Sequence, residues 1–186
     1  MNDIFAKLKV NPIPTAQGLE TFATPELMER VNGLNDRISS HNQGVDSYMA
    51  DHDRVARADV ASAEAIELRR RLRDESCRIP AVACELIREK ISLRGYMASA
   101  YTEWYNAQAS KLRAAEAEAT SKAESIGVLR ADEPALHTAI VRHLSRGASG
   151  YVGWRPQFLD GACSSYALAG ELEAASRLLT TALKGS

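Results

Sequence analysis

The chain has 186 residues, 45% hydrophobic and 25% charged, which suits a folded core and excludes a disordered chain. Thirty alanines against 6% aromatics favour helices over strands and exclude an all-β protein. Twenty-three basic and 24 acidic side chains leave a net charge of −1, too weak a field for non-specific attraction to nucleic acid or an anionic membrane.

The expected fold is all-α, a long antiparallel helical hairpin of coiled-coil type with a small C-terminal helical subdomain. Residues 1–23 read as an arm with a short helix. Asn2 or Asp3 caps that helix, and Asn11-Pro12-Ile13-Pro14 ends it, because a proline fixes its own φ and keeps the preceding residue extended. Thr24-Pro25-Glu26 then reads as a helix start, with a hydroxyl cap, proline at the first helical position and an acid in the first turn.

From there Leu27, Val31, Leu34, Ile38, His41, Val45, Tyr48, His52 and Val55 alternate by four and three, the seam of a coiled coil. The period runs through residues 39–44, so one helix is expected there, bent near Gly44. Beyond Val55 the seam degrades at Asp59 and Ser62, while Ala65, Leu68 and Leu72 form an adjacent stripe. Pro80 lacks an amide donor and biases Ile79 away from helical geometry, which places the chain reversal at 76–80. The hairpin 24–124 then has helices over 25–76 and 81–124, with Trp104 opposite His52, Tyr101 near Val55 and Met97 near Asp59. The second helix carries Val82, Leu86, Leu93, Met97, Ala100 and Trp104, with Ile87, Ile91, Tyr101 and Tyr105 beside them. Its end thins to alanines between 114 and 123, which suit either close helix packing or exposure.

Residues 125–186 are expected to form the C-terminal subdomain. Gly127 makes the connection, Asp132 caps a helix opened by Glu133-Pro134, and Leu136, Ile140, Val141 and Leu144 supply its apolar side. The segment 147–162 is a glycine-rich loop bearing Tyr151, Trp154 and Phe158. A final helix over 163–183 uses Leu168, Leu172, Ala175, Leu179 and Leu183.

No motif here specifies a catalytic or ligand chemistry. The run Arg69-Arg70-Arg71-Leu72-Arg73 has Glu67, Asp74 and Glu75 at helical spacing and no interleaved aromatics, so surface ion pairs explain it better than a nucleic-acid contact. The seam histidines His41 and His52 lie about 16 Å apart on one helix, too far to share a metal ion, and each should find a partner on a facing helix. Gly147, Gly150 and Gly153 follow no strand pattern, and Ser149 has no nucleophile-elbow spacing. Cys163 with His137 or His143 is the weakest reading, a thiol enzyme.

The cysteines, Cys77, Cys84 and Cys163, are odd in number and sparse, which fits a reducing cytoplasmic compartment or a particle assembled there. No apolar window reaches the ~18 residues of a membrane span, and the first ten residues hold no signal-type apolar stretch, so neither membrane insertion nor export is expected.

These features point to a non-enzymatic structural protein without cofactor, metal or catalytic residue. Its expected partners are copies of itself and other protein subunits, as in a large particle such as a virion. Tyr151, Trp154 and Phe158 of the loop, with Ile13 and Phe22 of the arm, are the expected protein contacts. The alternative is a helical adaptor or inhibitor that binds a single protein partner.

Overall fold

The structure is a computed structural model that describes residues 6–14, 19–59, 62–148 and 165–185. Among these there are helices and no strand. They are α1 (Leu19–Phe22), α2 (Pro25–Arg57), α3 (Ala63–Ser125), α4 (Pro134–Ser145), a 3-10 turn (Arg146–Ala148) and α5 (Ser165–Gly185). The chain divides into two compact units, Met1–Met97 with Pro156–Ser186, and Ala98–Arg155.

In the first unit α2 starts as its sequence dictates: Thr24 Oγ1 accepts from the Leu27 amide at 3.2 Å, with Pro25 at the first helical position. The seam is buried at Leu27, Val31, Leu34, Ile38, Val45 and Tyr48, and α2 passes through Gly33 and Gly44 unbroken. It ends at Ala58, which is extended at φ −81° and ψ 153°. Ser62 restarts the helix, its Oγ accepting from the Ala65 amide at 3.2 Å. The break therefore lies at Asp59 to Ser62, where the apolar seam degrades, and not at 76–80.

Pro80 is inside α3 and buried. An interior proline costs about 3 kcal/mol. Ile79, Leu86 and Ile87 are buried on either side of it, and full burial of such a side chain contributes about 1.5–3 kcal/mol, so packing outweighs the local penalty. The register changes with the break. Arg54 meets Glu64 at 2.8 Å, Asp51 meets Arg71, and Arg37 meets Glu85 at 3.2 Å and Glu89 at 2.6 Å, in reverse chain order. Thus Asp51 and Arg54, the neighbours of His52, pair near the start of α3 rather than around residue 104.

The final helix α5 belongs to the first unit, so residues 125–186 do not form one subdomain. Leu168 and Ala175 are buried, Glu171 Oε1 accepts from Asn11 Nδ2 at 3.3 Å, and Cys84 Sγ lies 3.7 Å from Ser176 Oγ. Lys90, only 1% exposed, places its Nζ 3.5 Å from Glu171 Oε2.

In the second unit the Tyr101 ring lies 6.0 Å from those of Trp104 and Tyr105. Of the alanines that end α3, Ala119 and Ala123 are buried while Ala114 and Ala117 are exposed. The helix stops in a Schellman motif: the Val128 amide donates to the Ala123 carbonyl at 3.1 Å and the Gly127 amide to the Glu124 carbonyl at 3.0 Å. This requires φ +85° at Gly127, a left-handed conformation natural to glycine. The next helix is entered through Glu133, with no side-chain cap, and not through Asp132.

Candidate functional site

Within the second unit α4 turns the two leucines of its apolar pattern outward, while Ile140 and Val141 are half-buried. Leu136 and Leu144 are 46% and 49% exposed, and Ile126 and Leu129 of the preceding connection are exposed as well. His137, one residue from Leu136, is only 5% exposed, and Ser145 is equally buried. Ala119 and Ala123, near the end of α3, are buried in the same unit.

The inward side of α4 borders an open cavity of about 870 Å³, with Glu116 of α3, Arg130 of the connection, His137 and Arg142 of α4 and Arg146 beyond it on the wall. His137 Nε2 is buried without a hydrogen-bond partner among the described residues. Arg130, Arg142 and Glu116 form no ion pair among the described residues. Of the hydroxyls on the wall, Thr138 Oγ1 donates to the Pro134 carbonyl at 2.7 Å and Ser145 Oγ to the Val141 carbonyl at 2.8 Å. Among the described residues no group of three or more His, Cys, Asp or Glu side chains is placed to hold a metal ion.

The other sequence-derived sites are distributed differently. Tyr151, Trp154, Phe158, Ser149, Gly150, Gly153 and Cys163 lie outside the described residues. Ile13 is buried in its own chain's core, which covers the surface expected to meet a partner, and Phe22 is half-buried. The partner of His41 is not on a facing helix: its Nε2 hydrogen-bonds the Leu8 carbonyl of the arm at 2.9 Å. His52 is half-buried and makes no hydrogen bond among the described residues. In the basic run, Arg70 pairs with Glu67 at 3.0 Å as the spacing implies, whereas Arg71 reaches across to Asp51.

Two buried polar residues had no clear signal in the sequence. Lys90 falls between the apolar positions Ile87 and Ile91, and His137 follows Leu136 of the apolar pattern. Among the described residues no helix is long and apolar enough to cross a membrane. No protein-family model, curated protein or solved structure matches this chain.

Proposed function

We propose that the chain is a non-enzymatic assembly subunit that works by helix-mediated self-association, within a larger particle built from copies of itself and other subunits. In this reading α2 and the first part of α3 form an antiparallel helical pair, and α4 supplies the contact between copies. The supporting observation is the outward stripe of Leu136 and Leu144 on a helix that buries a histidine and a serine instead. Ile140 lies between them at helical spacing, so Leu136, Ile140 and Leu144 make a stripe without a charged residue. An uncharged apolar stripe is complementary to itself, which suits a two-fold contact between copies. Leaving it in water costs about 25 cal/mol for each Å² of apolar area that association would cover.

Light scattering on the full chain tests this. The expected result is a mass above that of one chain, which falls to the monomer in Leu136→Asp with Leu144→Asp while circular dichroism is retained. A monomeric wild type at every concentration up to the solubility limit would refute self-association and favour an adaptor that binds a different protein.

A further inference from the structure

The face of α2 that holds the extended arm is a peptide-binding site, and we propose that in the assembly the arm of a second copy fills it. Asn35 and Asn42 of α2 each hydrogen-bond both main-chain polar atoms of one arm residue, Ile13 and Val10 respectively, and His41 Nε2 hydrogen-bonds the Leu8 carbonyl. Leu8, Val10 and Ile13 are buried, while Lys9, Asn11, Pro12 and Pro14 are exposed. Main-chain bonds that give affinity, with pockets for alternate side chains that give selectivity, are the mode by which a strand added from another chain is recognised. Here helix side chains take the part of the sheet edge.

Such a site does not distinguish the arm of its own chain from that of another copy. Both arms offer the same atoms, so exchange conserves every contact. The tether permits it. Twelve residue steps separate Ile13 from Pro25, four of them in α1, and together they span up to about 30 Å. Asn35, which holds Ile13, stands about 15 Å along α2 from Pro25. That slack closes the arm onto its own chain in dilute solution and also lets it reach an adjoining one. A short flexible tether gives an effective concentration of the order of mM, which subunits packed side by side match. Exchange therefore rests on the self-association proposed above for the closeness of copies, and adds a second link between them that does not use α4.

Lys9 and Asp46 pair across the site at 2.7 Å and both are exposed, so each position tolerates substitution. Full chains carrying either Lys9→Cys or Asp46→Cys are mixed, unfolded in urea, refolded together at about 1 mM and treated with a short bis-maleimide. Mass spectrometry then identifies the linked peptides, and a link from position 9 to position 46 arises only between copies. It is expected to exceed the 9-to-9 and 46-to-46 links by about tenfold or more, and to fall to their level after refolding at about 1 μM. A single chain carrying both substitutions should link within itself at the lower concentration. Equal yields of the three links at the higher concentration, or no link within the doubly substituted chain, would overturn the proposal. The high concentration stands in for the closeness of copies, so this readout is separate from the test of α4. Association in light scattering without a 9-to-46 link sinks arm exchange alone, and a link that persists in Leu136→Asp with Leu144→Asp supports exchange without the α4 contact.

Discussion

Asn42 holds both main-chain polar atoms of Val10: its Oδ1 accepts from the Val10 amide at 2.9 Å and its Nδ2 donates to the Val10 carbonyl at 3.0 Å. Asn35, two turns earlier on α2, does the same for Ile13 at 2.8 and 2.9 Å. A side-chain amide presents a donor and an acceptor side by side, like a neighbouring strand, and so satisfies an extended segment that has no ladder of its own. Residues seven apart share a helix face, which lets α2 grip residues 10 and 13 of the arm while Leu8, Val10 and Ile13 enter the core. Lys9 adds an exposed pair with Asp46 at 2.7 Å.

Replacing Asn42 with alanine removes both bonds and leaves a partly buried amide and carbonyl unpaired. The expected loss is about 2–3 kcal/mol in urea unfolding. Asn35→Ala should cost a similar amount. A loss below about 0.5 kcal/mol, the level of an ordinary surface substitution, would show that the arm is held by apolar burial alone.

Lys90 and Glu171 should respond asymmetrically. Removing Glu171 leaves Lys90, 1% exposed, as an uncompensated buried charge, which costs about 3–5 kcal/mol, whereas removing Lys90 leaves Glu171, 24% exposed, in reach of water and of Asn11. Glu171→Ala is therefore expected to destabilise strongly, with Asn11 losing its partner too, and Lys90→Met to change stability little. Thermal unfolding of the two variants checks the order, and a larger loss in Lys90→Met would contradict it.

Two backbone substitutions should stabilise the protein. An alanine Cβ at Gly33 meets nothing within 4 Å, so Gly33→Ala should gain about 1 kcal/mol of helix propensity. Pro80→Ala restores the amide for the Ser76 carbonyl, relieving about 3 kcal/mol, and loses roughly 1.6 kcal/mol of buried ring, for a net gain of about 1 kcal/mol. A strong loss of stability in Pro80→Ala would mean that the proline serves the local geometry.

His137→Leu tests the cost of the buried imidazole. It removes a buried nitrogen whose unmet hydrogen bond costs about 1–3 kcal/mol, so the apolar variant should be at least as stable as the wild type in thermal unfolding. Marked destabilisation would mean that the imidazole is satisfied in solution.

Tyr48 contributes to the loss of stability at alkaline pH. Burial, then the negative charges of Glu75 and Cys77, hold its phenol above the ordinary value of 10.0. The folded chain thus keeps this group neutral when the unfolded chain has begun to ionise. Its contribution is fully present below about pH 10 and is lost as pH rises through the raised folded value. Tyr48→Phe should flatten the fall in urea midpoint above about pH 10, and parallel curves for the two proteins would refute it.

Helix α2 was legible in the sequence because its cap and its period are local properties: Thr24-Pro25 starts it and the four-three spacing selects the residues it buries. The Schellman stop at Gly127 could be placed for the same reason. The turn at Asp59 to Ser62 left a trace, a pair of polar residues in an apolar seam, but Pro80 carried the stronger local signal. Only tertiary burial of Ile79, Leu86 and Ile87 reverses that preference. Likewise the sequence determined that α4 and α5 have apolar stripes, while the tertiary structure alone decided that α5 packs its stripe in the first unit, that α4 turns its leucines outward and that His137 goes in. Periodicity reports that a stripe exists; whether it is covered depends on the shape and depth of the surface that meets it, a non-local property.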